Sequence, residues 1–213
     1  MSQEKLNKLS IPLGLLGYIN PILFAITIIT IIRNIGYKMI YPFNHYLFYG
    51  VIISALFGFI ISTAKVLAGL GLIKSAMPAA FVLGANIGIM ISGLTLIHYA
   101  LKMSVQTLLI LTAVILAVLI LIYLITRKLS TVALFTGAIG FLLVNISLII
   151  ISLWKDMIVS VILYGVAISL SIALCVIGIR SDLRNSKVLL VIEILNVLCQ
   201  LLVCISTFIL FSR

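Results

Sequence analysis

Residues 103–126 read MSVQTLLILTAVILAVLILIYLIT, an uncharged run closed by Lys102 on one side and by Arg127 and Lys128 on the other. Coiled as an α-helix, its Val105–Thr126 portion is ~33 Å long at 1.5 Å per residue, enough to cross the ~30 Å hydrocarbon core of a bilayer. The apolar side chains are continuous rather than alternating, which excludes a barrel strand.

Six more runs of this kind flank it. Ile11–Ile32, Tyr46–Thr63 and Ala76–Leu101 precede it, and Thr131–Trp154, Ile158–Ile179 and Val188–Phe211 follow. The pattern predicts an all-α membrane protein, a bundle of about seven transmembrane helices forming one polytopic domain over residues 1–213. Composition agrees, since 64% of the 213 residues are hydrophobic and 8% charged. A soluble domain carries about 25% charged residues. The apolar excess needs lipid as its solvent.

The net charge of +10 does not imply nucleic acid. Its lysines and arginines come in ones, twos and threes between apolar runs, not gathered on one basic face. They orient the chain instead. Lys5, Lys8, Lys65, Lys74, Arg127, Lys128, Arg180, Arg184 and Lys187 fall on the amino-terminal side, nine against five for Arg33, Lys38, Lys102, Lys155 and Arg213. The bias predicts a plasma-membrane protein with a cytoplasmic amino terminus and an external carboxyl terminus. Lys5 and Lys8 resemble the start of a signal peptide, but Leu9–Ile32 exceeds a signal core of about 7–15 residues. It reads as a retained first span.

Lys65 closes the second run early. Val66–Ile73 then reads as a re-entrant or interfacial piece, weakened as a helix by Gly69 and Gly71. The remaining connections are short. An internal echo pairs Tyr49-Gly50-Val51-Ile52-Ile53-Ser54 with Tyr164-Gly165-Val166-Ala167-Ile168-Ser169, identical at five of six positions. Each hexapeptide lies in the middle helix of a triplet if the chain divides as 3+1+3, so a parallel repeat is compatible with the sequence. That helix plan is similar in architecture to the SWEET sugar carriers. Those carriers place prolines in the first two helices of each triplet, whereas Pro12, Pro21, Pro42 and Pro78 all lie in the first half here. The likeness is therefore one of helix plan.

Polar side chains inside spans are expensive and mark function or packing. In the seventh span Glu193, Asn196 and Gln200 are spaced by three and four and share one stripe, continued by Cys204. Glu193 is the only acidic residue within a span. It reads either as a ligand for a solute or coupling ion, or as a structural carboxylate paired with Lys187, Arg184 or Arg127. Asn20, Asn86 and Asn145 are further candidates to line one polar cavity with these groups. Asn20 precedes Pro21, whose ring removes a helical hydrogen bond and frees a carbonyl. In the third span Gly84 and Gly88 permit close helix packing. Asn86 and Gly93 occupy its opposite face, so this helix belongs inside the bundle. Cys175, Cys199 and Cys204 lie in apolar runs with no CxxC or Cys/His spacing and read as packing residues.

His45 and His98 end adjacent spans and are weak metal candidates, since no carboxylate or cysteine accompanies them. No metal and no cofactor is expected. No nucleophile–base set, acid pair or HExxH motif marks an enzyme. The seventh span has no lysine for retinal, and no nucleotide-binding motif occurs. The expected partners are the lipid bilayer and a small-molecule solute, with a homo-oligomer or partner subunit allowed. The expectation is a small-molecule transporter or permease component. The alternative is a membrane receptor, immunity or assembly protein without transport activity.

Overall fold

The computed structural model describes residues 3–39, 42–72, 79–180 and 186–212. Several cations of the orientation count, among them Lys5, Lys8, Lys74, Arg180, Arg184, Lys187 and Arg213, lie outside the described residues or side chains, as does Pro78.

The described residues form seven α-helices and no strand: α1 (Gln3–Ile35), α2 (Phe43–Gly69), α3 (Ala79–Ala100), α4 (Val105–Thr126), α5 (Leu129–Trp154), α6 (Ile158–Arg180) and α7 (Ser186–Phe211). All seven are long and apolar enough to span a membrane, consistent with an integral membrane protein in contact with lipid. Tight connections separate several of them. Ser104 caps α4 by accepting from the Thr107 amide at 3.1 Å, and the α3–α4, α4–α5 and α5–α6 turns use left-handed residues at Lys102, Arg127 and Asp156.

The second helix departs from the sequence expectation. It does not stop near Lys65 but runs on to Gly69, and the chain leaves it through Gly71 at φ +74°. Val66–Gly69 is therefore the end of a transmembrane helix, not a re-entrant piece, Leu70–Leu72 form the turn that follows, and Ile73 lies outside the described residues. Lys65 interrupts the apolar run without breaking the helix, because lysine is a good helix former and its charge has a partner.

Six helices close a ring in the order α1, α2, α3, α5, α6, α7 and back to α1, while α4 packs outside it on α3 and α5. Contacts fix the helix directions. Tyr18 meets Thr63 and Gly14 meets Val66, so α1 and α2 are antiparallel. Asn86 meets Ala133 and Gly93 meets Gly140, so α3 and α5 are parallel. Consequently α1, α3, α5 and α7 all start on one face, called here the amino-terminal face.

Small residues set the closest crossings. A Cβ on Gly88 would lie 2.5 Å from the Gly50 carbonyl oxygen and 2.5 Å from the Ser54 nitrogen, so only glycine lets α2 and α3 cross there. On the other side of α3, Gly93 lies against Gly140 of α5 in the same way. Gly84 accommodates Phe57. Hydroxyls join α6 to α7: Ser160 Oγ donates to the Ser206 carbonyl at 3.3 Å, Ser206 Oγ donates to the Ser160 carbonyl at 3.1 Å, and Tyr164 shares a 2.9 Å bond with Thr207.

The half of the ring away from the amino-terminal face is solidly packed. Ile28, Ile31, Leu47, Leu96, Val144, Leu148 and Leu210 are buried in one cluster there. At its outer rim Lys155 donates to the Leu210 carbonyl at 3.2 Å, capping the end of α7, and Lys102 lies over the Trp154 ring. The outward faces are mostly Leu, Ile, Val and Phe, most densely on α4, with Tyr46, Tyr49, Tyr123 and Trp154 also exposed.

The ring order is the one a two-fold relation of α1–α3 to α5–α7 requires. The echoing hexapeptides do not share surroundings, however. Tyr49 is 53% exposed on the lipid face, whereas Tyr164 is fully buried against α7. Gly50 is wedged against α3, whereas a Cβ on Gly165 would meet nothing within 4 Å.

Candidate functional site

The axial stripe of each ring helix changes character along its length. Toward the amino-terminal face it carries small and polar residues, which cannot fill the ring. In α1 these are Gly17 and Asn20; in α2 Ser54, Gly58, Ser62 and Lys65; in α3 Ala85 and Asn86. In α5 they are Ser130, Thr131, Gly137 and Ala138, in α6 Ser171 and Cys175, and in α7 Glu193, Asn196 and Gln200. The result is a cavity of about 590 Å³ that all six ring helices line and α4 does not. Phe24 and Phe141 stand at its inner end, where the aliphatic cluster begins.

Glu193 is the charged centre. Its Oε2 lies 3.4 Å from Lys65 Nζ, and its Oε1 accepts from Asn20 Nδ2 at 3.3 Å. The Glu193 side chain is 16% exposed and that of Lys65 34%. The partner is thus Lys65 of α2 rather than Arg127, and Arg184 and the Lys187 side chain lie outside what is described. Both contacts are long compared with the ~2.7–2.9 Å of a tight charge-assisted bond. The carboxylate is paired but loosely held. Gly17 permits the approach, since a Cβ there would sit 2.7 Å from Ser62 Oγ and 3.4 Å from Glu193 Oε1.

Asn20 contributes a second feature. Its amide nitrogen is spent on Glu193, and its Oδ1 is buried with no donor. Pro21, the next residue in the wall, has no N–H, so the Gly17 carbonyl lacks its ordinary partner four residues on. Among the described residues Lys65 is the cation that meets Glu193.

Of the other sequence candidates, Asn86, Asn196 and Gln200 line the same cavity. Asn86 also donates to the Ala133 carbonyl at 2.7 Å, tying α3 to α5. Asn145 does not line it. Its side chain is fully buried one turn beyond Phe141, its Nδ2 donates to the Phe141 carbonyl at 2.8 Å, and its Oδ1 has no donor. Gly84 and Gly88 face α2, away from the site. His98 stacks on Phe43 with ring centroids 4.0 Å apart, and His45 is exposed near the start of α2. Among the described residues no group of three His, Cys, Asp or Glu side chains comes together.

Lys65 is the cavity residue that the sequence candidates did not include. The signal was present: Ser54, Gly58, Ser62 and Lys65 are spaced by four, four and three, the stripe of a helix face lining a polar space. No known protein family, characterised protein or solved structure matches the chain.

Proposed function

We propose that this protein is a small-molecule carrier of the cell membrane, with its amino terminus in the cytoplasm. The observation that carries the reading is the cavity itself. Polar groups from six helices converge on one space in one half of the membrane, and packed aliphatic side chains close the other half. A bundle needing only to be stable gains nothing from this arrangement, because lipid-embedded helices pack best with small residues in contact and polar groups paired locally. A carrier needs it, since solute must reach a site near the midplane from one face while the opposite face is sealed.

The packing suits two bodies moving about the site. Glycines at the crossings bind α1, α2, α3 and α5 closely, whereas α6 and α7 are packed more sparsely against their neighbours. Rocking of α6 and α7 against a body made of α1, α2, α3 and α5 would close the cytoplasmic cavity and part the aliphatic plug. Glu193 is the natural coupling group, as the acid inside the cavity with a loosely held cation. No enzymatic step is assigned to it.

Uptake into proteoliposomes tests the reading. Wild type accumulates its solute from a mixture of small polar metabolites, read by mass spectrometry of the washed vesicles. Glu193→Gln, reconstituted in equal amount, loses accumulation driven by a proton gradient. Equal lumen contents in protein-containing and empty vesicles would overturn the proposal. Unchanged gradient-driven uptake by the variant would remove Glu193 from coupling.

A further inference from the structure

Among the described residues the cavity contains one ion pair, and the way it is held specifies a ligand. Beside the Glu193 carboxylate, the Asn20 side chain gives its Nδ2 to Glu193 while its buried Oδ1 receives no donor, and Pro21 deprives the Gly17 carbonyl of its helical partner. A carboxylate with an unmet amide oxygen in its neighbour is matched by a group with several N–H donors and positive charge. Here the Lys65 ammonium takes part of that role, reaching Glu193 Oε2 at 3.4 Å but not Asn20 Oδ1.

We propose that the solute is a zwitterion carrying an ammonium and an acid group, and that it binds by exchanging partners with the Lys65–Glu193 pair. The argument is charge conservation in a half-buried site, where an unpaired charge is costly. A solute that is only a cation would displace Lys65 and leave its ammonium beside a second positive charge. A solute that is only an anion would draw Lys65 away and leave Glu193 uncompensated. A zwitterion does neither, since its ammonium takes Glu193 while its acid group takes the released Lys65. The length of both Glu193 contacts favours such an exchange, because little bonding is lost when they open. Beside the charges, Phe24, Leu134, Phe141 and Leu174 offer an apolar bed for the rest of the solute. The zwitterion could be a free amino acid with an apolar side chain or the ethanolamine headgroup of a phospholipid; both present the same two charges.

This inference rests on the cavity being a solute site, as the carrier reading holds, and its test does not require transport. The full chain in detergent is heated with matched sets of probes: L-phenylalanine, 2-phenylethylamine and 3-phenylpropionate; L-leucine, 3-methylbutylamine and 4-methylpentanoate; and dihexanoyl phosphatidylethanolamine beside its phosphatidic acid. At least one zwitterion raises the unfolding temperature, and its single-charge analogues need roughly tenfold more ligand, or more, for half the effect. An amino acid acting alone identifies a free solute, and the phospholipid acting alone identifies a headgroup. Lys65→Glu and Glu193→Lys each abolish the shift, and the doubly reversed chain recovers it with the ligand turned end for end. Lys65→Met and Glu193→Gln give the same loss where a reversed charge prevents folding. No shift from any zwitterion, or an amine or acid equal to its zwitterion, overturns the inference. Zwitterion binding without uptake into vesicles overturns the carrier reading and leaves this one standing.

Discussion

Replacing Gly50 with alanine places a methyl group where α2 crosses α3. Its carbon would sit 2.7 Å from the Gly88 carbonyl oxygen and 3.1 Å from the Ser92 nitrogen, with Ser92 Oγ also in the way. Two of these are backbone atoms, so no side-chain rotation relieves the contact and the helices must separate by several tenths of an ångström. Overpacking of that kind costs about 1–3 kcal/mol. Alanine in a helix recovers up to about 1 kcal/mol over glycine, which obscures a single measurement. Gly165 supplies the control. It occupies the same place in the echoing hexapeptide, yet a Cβ there meets nothing within 4 Å. The propensity gain is common to Gly50→Ala and Gly165→Ala, so their difference isolates the clash at about 1–3 kcal/mol. With about 2–4 °C per kcal/mol for a chain of this size, unfolding in detergent should begin several degrees lower for Gly50→Ala than for Gly165→Ala. Equal unfolding temperatures, or the reverse order, would refute the α2–α3 crossing and the claim that the two hexapeptides are structurally unlike.

Three further outcomes follow from the charged and buried groups. Lys65→Met should lower thermal stability in detergent more than Glu193→Gln does. Removing the cation leaves a carboxylate that is 16% exposed, whereas removing the acid leaves a lysine 34% exposed that can turn toward water; the opposite order would argue against the pairing. Asn145→Leu should stabilise the chain by about 1–3 kcal/mol by removing a buried oxygen that has no donor. It should also slow uptake if that amide meets solute once the plug opens, and a destabilised variant would show that Asn145 has a structural partner. Ser160→Ala and Ser206→Ala should each lower stability by about 0.6 kcal/mol, since each removes one hydroxyl bond to a backbone carbonyl, and unchanged stability in both variants would count against the reciprocal α6–α7 bonds.

Much of this architecture is readable in the chain. Uncharged runs of spanning length have essentially one solution in lipid, so the seven helices follow from their length and continuity. Spacing also reveals faces. Glu193, Asn196 and Gln200 share a stripe and line one cavity, and α3 carries glycine on both sides because α2 and α5 both press on it. Lys65 was hidden by a sound rule misapplied. A lysine at the edge of an apolar run is ordinarily an interfacial anchor; here it is held within the helix by an acid that lies 128 positions away in sequence, and no local pattern reports that pairing. Asn145 shares the stripe of Phe141 and Ala138, but where the cavity stops depends on how Phe24 and Phe141 pack across the ring. The Tyr-Gly-Val echo misleads for a related reason, since identical residues face α3 in one helix and open space in the other.

The most direct test of alternating access is thiol labelling at Asn196, inside the cavity, with Cys175, Cys199 and Cys204 replaced by alanine or serine. Asn196→Cys in oriented vesicles is exposed to a membrane-impermeant thiol reagent from one face at a time. A carrier gives rapid labelling from the amino-terminal face and slower labelling from the opposite face, and the transported solute shifts the two rates in opposite directions. Labelling confined to the amino-terminal face under every condition, with solute or without, would contradict a carrier and leave a bundle with a permanent one-sided pocket.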